Sequence, residues 1–354
     1  MKKIVLTGGG TAGHVTPNIA LIPKLRELGY EVEYIGTYDG IEKELIEKVG
    51  IPYHGISSGK LRRYFDLKNF TDPFRVIKGY NQAKRLLKSI NPNVVFSKGG
   101  FASVPVVLAA NSCHIPVVCH ESDMTPGLAN KIALPKATKI CCNFPETKEH
   151  LPEGKAIVTG TPIRAELLSG DKEKAFNICK FTEHRPTVLI VGGSTGALSV
   201  NKAIWGCLSE LTKSYNVIHI CGKGKTNEEV NATPGYAQFE YIGEDLPHMF
   251  ALADIVISRA GANAICELLM LKKPNILVPL PLNQSRGDQI LNARSFEKSG
   301  YSIVIQDEDM SNEVILNAIH QLIENKDKYL EAMNKNLSKD AITMITDIIC
   351  EVSK

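Results

Sequence analysis

The feature that most constrains this chain is an internal echo. Ile4-Val-Leu-Thr-Gly-Gly-Gly-Thr-Ala-Gly13 is matched by Val188-Leu-Ile-Val-Gly-Gly-Ser-Thr-Gly-Ala197, about half of the 354-residue chain later. Each copy is a short apolar run, a glycine-rich turn and then a helix-like stretch. One such unit opens a doubly wound parallel sheet, so two of them predict two Rossmann-like domains. The segments between fit that reading. Strands are expected at Lys3–Thr7, Glu31–Gly36, Val94–Ser97 and Pro116–His120, and again at Thr187–Val191, Val217–Cys221, Gln238–Ile242, Ala253–Ser258 and Pro274–Pro279. Helices are expected at Pro17–Leu28, Ile41–Lys48, Ala262–Leu271 and Gln289–Ser299. Continuous Val/Ile/Leu runs alternating with helices mark strands buried on both faces of a parallel sheet. The fold class is therefore α/β, with the join near Gly160-Thr-Pro-Ile-Arg164. Ligands of such sheets bind at the carboxyl ends of the strands, so two domains facing each other would share one cleft.

Composition closes off other classes. At 44% hydrophobic and 22% charged residues, the chain has the material for real cores and is not a disordered one. Its longest apolar runs, such as Val104–Ala110, fall far short of the ~18–20 residues of a membrane-spanning helix. The start, Met1-Lys-Lys-Ile-Val-Leu-Thr-Gly8, lacks the apolar stretch of a signal peptide. Nine cysteines, an odd number without a C-x-x-C pair, fit reduced thiols in the cytosol and give no zinc spacing. The net charge of +3 argues against a nucleic-acid binder. It hides an asymmetry: residues 1–162 carry 21 basic against 14 acidic side chains, +7, whereas the remainder carries −4. The two halves are expected to meet different partners.

The chemistry sits in the loops. Gly8-Gly-Gly-Thr-Ala-Gly13-His14 contains G-x-G-x-x-G, whose glycines let backbone approach a ligand at a helix start. A nicotinamide-dependent dehydrogenase would want an acidic residue directly after the second strand; here that strand ends Ile35-Gly36-Thr37, and Asp39 comes late. A tight turn without ligand is the plainer alternative. His14 lies at the helix start, where the dipole disfavours its protonated form and leaves a neutral imidazole able to act as general base; a histidine that only bonds the loop is the other reading. The second loop, Gly192-Gly-Ser-Thr-Gly196, places Ser194 beside backbone amides that suit a phosphate. Ser258-Arg-Ala-Gly-Ala-Asn-Ala-Ile-Cys-Glu267 enters another helix. Glu267 sits in apolar company and needs a partner, either a ribose diol, an internal salt bridge or solvent. The proline-rich loop that begins at Pro279 leads to Asp288, Gln289 and Asn292, which could read sugar hydroxyls. Ser57–Arg75 departs from the α/β pattern, with Lys60, Arg62, Arg63, Lys68 and Arg75 among Leu61, Tyr64, Phe65, Leu67, Phe70 and Phe74. That mixture suits an anionic membrane surface, with Lys136 and Lys139 as candidates to extend it. The alternative is a solvated loop with its aromatics in the core.

Taken in order, Gly8–His14, Lys98-Gly-Gly-Phe-Ala-Ser103, His120-Glu-Ser-Asp-Met-Thr-Pro-Gly127, Gly160–Arg164, Gly192–Ala197 and Ser258–Ala262 resemble the MurG family of bacterial N-acetylglucosaminyltransferases, which make lipid II. The resemblance spans essentially the whole chain. It implies a GT-B fold of domains 1–162 and 163–339, with a C-terminal helix of about 340–354 returning to the first domain. It also implies transfer of GlcNAc from UDP-GlcNAc to the C4 hydroxyl of MurNAc in lipid I, with inversion. On this resemblance Thr11, Ala12 and Gly13 contact the donor sugar, and His14 is the candidate base, with Glu121 next in line. Arg164 and Ser194 hold the donor, and Ile242 reads the uracil through its backbone. Ala262, Asn263, Ala264, Ile265, Cys266 and Glu267 hold diphosphate and ribose, and Gln289 holds the GlcNAc. The first domain then faces the acceptor and the membrane, through Arg62, Arg63, Lys68, Phe70 and Phe74, and the second binds UDP-GlcNAc. The chain departs from the family's commoner pattern at Ala12, which stands for a glycine, and at Ser122, Asp123 and Asp288; Asp123 remains a candidate sugar contact.

The expected partners are therefore UDP-GlcNAc, lipid I and the anionic cytoplasmic face of the cell membrane, without nucleic acid. No cofactor is expected, because no acidic cluster for a metal is evident and helix-start dipoles can stabilise the leaving UDP. A UDP-GlcNAc epimerase of the same fold is the main alternative, and a non-catalytic nucleotide-binding module the other.

Overall fold

The computed structural model describes residues 2–59, 68–193, 196–335 and 340–353, with side chains omitted for 68–73. The chain forms two compact units, Met1–Arg164 with Ser338–Lys354, and Ala165–Leu337.

The first unit is a seven-stranded parallel sheet of β1 (Lys2–Thr7), β2 (Tyr30–Thr37), β3 (Tyr53–Ile56), β4 (Val94–Ser97), β5 (Val117–Glu121), β6 (Lys139–Cys142) and β7 (Ala156–Val158), in the order β3-β2-β1-β4-β5-β6-β7. Its helices are α1 (Thr16–Glu27), α2 (Ile41–Lys48), α3 (Lys68–Ile90), α4 (Val104–Ser112) and α5 (Leu128–Ala133). Ile4, Val5 and Leu6 are fully buried in succession, as a strand covered on both faces requires. Val5 joins the cluster beneath α3 and α4, and Ile4 and Leu6 join the one beneath α1. The apolar run Val104–Ala110 is α4, a helix buried on nearly every side.

The second unit has six parallel strands, β8 (Thr187–Val191), β9 (Asn216–Ile220), β10 (Tyr236–Phe239), β11 (Ile255–Ser258), β12 (Asn275–Leu277) and β13 (Ser302–Val304), in the order β10-β9-β8-β11-β12-β13. Its helices are α6 (Lys172–Ile178), α7 (Leu198–Ser214), α8 (Leu246–Leu252), α9 (Ala262–Met270), α10 (Asp288–Lys298), α11 (Asn312–Glu324) and α12 (Lys326–Lys335). The last helix, α13 (Ala341–Val352), belongs to the first unit: Ile345, Ile348 and Ile349 pack with Leu21 and Leu25 of α1, and Tyr30 Oη lies 2.7 Å from Ser353 Oγ.

In both sheets the strand order reverses beside the strand that carries the glycine loop, between β1 and β4 and between β8 and β11. Loops leaving the two strands at such a point diverge and open a crevice at their carboxyl ends. Gly8–His14 leaves β1 and Arg259–Ala262 leaves β11 at these points.

Candidate functional site

In the first unit the chain leaves β1 through Gly8–Gly10, makes a 3-10 turn at Ala12–His14 and enters α1. Gly10 has φ +87, and a Cβ there would strike the Phe101 ring. His14 is half-buried, with Nδ1 3.0 Å from Thr11 Oγ1. A Cβ on Gly100 would stand 3.2 Å from that same Nδ1, so the loops after β1 and β4 are in contact at His14.

The ends of β4 and β5 add a buried polar cluster. Lys98 is almost fully buried; its Nζ donates to His120 Nδ1 at 3.0 Å and contacts Ser122 Oγ. With Nδ1 accepting, His120 carries its proton on Nε2 and donates to the Gly160 carbonyl at 2.8 Å. Burial, and then the Lys98 charge, hold this imidazole well below its usual range, so it is neutral. Glu121, the last residue of β5, is 3% exposed and accepts from Asn130 Nδ2 at 2.7 Å and from the Asp123 amide at 2.9 Å. Burial, then the nearby Asp123 charge, push its carboxyl up to about 7 against these hydrogen bonds and Lys98. A buried carboxyl titrating near neutrality has the range of a general base. Asp123 itself is half-buried.

A cavity of about 480 Å³ lies against the same loop, lined among others by Gly10, Asp39, Ser57, Arg75 and Phe101. Arg62 and Arg63 lie outside the described residues; Lys68 and Phe70 are on α3, their side chains also outside them. Phe74, on the same helix, is 74% exposed, and Ile77 is 59% exposed. The alternative of Phe74 in the core is thereby excluded. Arg164 is half-buried at the end of the first unit, and its Nε is buried without a hydrogen-bond partner.

In the second unit Gly192 and Gly193 follow β8, and a Cβ on Gly196 would meet the Cys221 carbonyl. Ser194 lies outside the described residues. Gly261 caps α9, so the amides of Ala262, Asn263 and Ala264 open the helix without intrahelical acceptors. Ile265 is buried, Cys266 half-buried, and Glu267 lies half-buried on the following turn. Gln289 accepts the Leu280 amide at 3.1 Å through Oε1, and its Nε2 stands 4.0 Å from where a Gly261 Cβ would be. The fold thus brings Gln289 to the start of α9. Ile242, beyond β10, is buried.

Two supports escape sequence reasoning. Arg259 is buried, ion-paired with Asp307 and bonded to the carbonyl of Val278 at 3.1 Å, so it ties the end of β11 to the loop after β12. Its only signal is membership of the Ser258–Gly261 segment. Asn130, on α5, has no signal at all. Among the described residues no group of three or more His, Cys, Asp or Glu is placed to hold a metal ion, and no helix is long and apolar enough to cross a membrane. All nine cysteines are free thiols, six of them buried.

The glycosyltransferase family 28 N-terminal domain matches residues 4–142, and the family 28 C-terminal domain matches residues 187–348. The UDP-N-acetylglucosamine–N-acetylmuramyl-(pentapeptide) pyrophosphoryl-undecaprenol N-acetylglucosamine transferase of Lachnospira eligens is 64% identical over 354 residues, covering all of both chains. Among solved structures, Acinetobacter baumannii MurG aligns with TM-score 0.78 at 26% identity over 99% of this chain and 100% of its own. The UDP-GlcNAc 2-epimerase of Neisseria meningitidis, at 15% identity and TM-score 0.72 over 99% and 100%, shares the fold alone.

Proposed function

The chain belongs to glycosyltransferase family 28, within it to the MurG N-acetylglucosaminyltransferases, and from that premise we propose how its residues divide the reaction. The reaction is transfer of GlcNAc from UDP-GlcNAc to the C4 hydroxyl of MurNAc in lipid I, forming lipid II with inversion at the anomeric carbon. The observation that carries it is full-length identity of 64% to a transferase of that activity.

The acceptor oxygen attacks C1 of GlcNAc as the bond from C1 to UDP breaks. The acceptor proton passes to a base, and UDP leaves with the bonding pair. On our reading the second unit holds UDP-GlcNAc. The opening amides of α9 face its diphosphate and stabilise charge as it develops, and Glu267 takes the ribose hydroxyls. Ser194 and Arg164 contribute donor contacts, Ile242 reads the uracil, and Gln289 Nε2 reaches the sugar. The unsatisfied Nε of Arg164 supports its part.

The first unit presents Thr11, Ala12, Gly13 and Asp123 to the sugars. His14 is the base in the tautomer whose Nδ1–H donates to Thr11, which leaves the lone pair on Nε2. Glu121 is the second candidate, supported by its shifted carboxyl. Arg75 puts a cation in the cavity beside Gly10, which suits the acceptor pyrophosphate. The lipid-linked acceptor requires approach to a bilayer. We assign this to the cytoplasmic face of the cell membrane, reached peripherally through the start of α3, where Phe74 and Ile77 are exposed.

The test is incubation of the purified protein with UDP-GlcNAc and a lipid I analogue. Disaccharide product and UDP are expected only when both are present. Appearance of the 2-epimer from UDP-GlcNAc alone would establish the epimerase instead.

A further inference from the structure

The first glycine loop is held by a carboxylate on α2. Glu42, the second residue of that helix, is fully buried. Its carboxylate accepts from the Gly10 amide at 3.2 Å, from the Thr37 amide at 3.1 Å and from Thr37 Oγ1 at 2.5 Å. Three donors on one carboxyl suit the acceptor-only, ionised form, and the start of α2 favours the same charge. The space is cleared for it: a Cβ on Gly9 would stand 2.6 Å from the carboxyl carbon, and one on Gly36 would stand 2.9 Å from Cγ.

The other side-chain supports of this loop hold carbonyls rather than amides, among them that of Ala12, which accepts from Thr16 Oγ1 at 3.2 Å, and that of His14, which accepts from Asn18 Nδ2 at 3.5 Å. Tyr34 Oη donates to the Gly8 carbonyl at 2.8 Å and Asn18 Nδ2 to the Thr7 carbonyl at 3.1 Å. Glu42 instead holds the amide of Gly10, the left-handed residue from which the Thr11–His14 turn departs. From there the turn propagates through the His14 amide to the Thr11 carbonyl, 3.1 Å, and through Thr11 Oγ1 to His14 Nδ1.

We propose that Glu42 is an internal anionic ligand of the first glycine loop and a positioning residue for His14. It fills from within the amide position that a phosphate would take in a nucleotide-binding copy, and fixes the Gly10 peptide so that His14 is presented in one place. Its effect on turnover rests on the reading of His14 as base; its effect on the loop does not, and the two are measured separately.

Hydrogen exchange of a peptide covering residues 8–15 reads the loop. Glu42→Ala should raise its exchange rate at least about tenfold, and added formate, small enough to enter the vacated site, should slow it again. Glu42→Gln keeps the volume, loses one acceptor and should exchange fast without responding to formate. In parallel, kcat should fall at least about tenfold in both variants, with affinity for UDP itself within about threefold of wild type. Formate should recover turnover in Glu42→Ala only. Wild-type exchange in either folded variant overturns the proposal, as does fast exchange in Glu42→Ala that formate leaves untouched. If Glu42→Ala does not fold, Glu42→Gln decides through its exchange rate. If His14→Ala turns over at the wild-type rate, the reading of His14 has failed, whereas Glu42 as loop ligand still stands or falls on exchange.

Discussion

Asn130 Nδ2 donates to the buried carboxylate of Glu121 at 2.7 Å, joining α5 to the end of β5. This bond opposes the burial that raises the Glu121 carboxyl to about 7. If Glu121 takes the acceptor proton, activity follows its ionised form and falls as pH drops through that value. Replacing Asn130 by Leu removes a donor to the charged form, so the acid limb of kcat/KM should move to higher pH. A limb left in place, in folded protein, assigns the titration to another group.

The same shift fixes a stability prediction. The folded-state value of Glu121 lies above its ordinary 4.5. Its contribution is therefore fully present below about pH 4.5 and is lost as pH rises through about 7, by a few kcal/mol in order of magnitude. Glu121→Gln does not titrate. The difference in Tm between this variant and wild type should shift in the variant's favour from pH 5 to pH 8. A difference independent of pH would show that Glu121 does not carry the shift.

Glu267→Ala tests the donor side. A charge-assisted hydrogen bond is worth roughly 1.5–3 kcal/mol, and Glu267 is assigned two of them to the ribose. Donor KM should rise at least about tenfold, with little change in acceptor KM. An unaltered donor KM removes Glu267 from the ribose.

His14→Ala should lower kcat by about 10²-fold or more, the order expected for loss of a general base, and leave UDP affinity nearly intact. Preserved turnover with lost UDP affinity would move His14 to donor binding and the base to Glu121.

What was legible in the sequence follows from where the signals are local. Ile41–Lys48, Val94–Ser97 and Thr187–Val191 fall on the expected residues, because each is an apolar or amphipathic run between glycine and loop signals. The short edge strands Tyr53–Ile56, Ala156–Val158 and Ser302–Val304 give no sequence signal, because three or four residues are too few to show a period. The glycine loops announce the site because close backbone approach demands glycine. Their supports do not: Glu42 looks like any helical glutamate, and Lys98 and His120 meet only across neighbouring strands. The start of α3 within Ser57–Arg75 was hidden by Pro73 and by basic residues that give no clear apolar stripe.

That same segment carries the last prediction. The lipid-linked acceptor is embedded in a bilayer, and the described helices include none able to span one. Residues 1–162 carry +7, and each basic residue near an anionic surface contributes about 1 kcal/mol. On α3, Phe74, Ile77 and Lys78 are exposed at spacings of three and four, which puts them on one helix face, with Arg75 exposed beside them. Replacing Arg62, Arg63 and Lys68 by Glu should therefore sharply weaken co-sedimentation with anionic vesicles. Replacing Phe74 and Ile77 by Ser should weaken it even in high salt, where apolar insertion persists after charge is screened within a few ångströms. Raising the salt should release wild type only in part. Turnover of a short-chain, water-soluble acceptor should stay within a few-fold in both variants, because neither touches the loops after β1, β4 or β5. Wild-type sedimentation of both variants would make the segment structural and place the docking face elsewhere; loss of turnover on the soluble acceptor would make it part of the acceptor site itself.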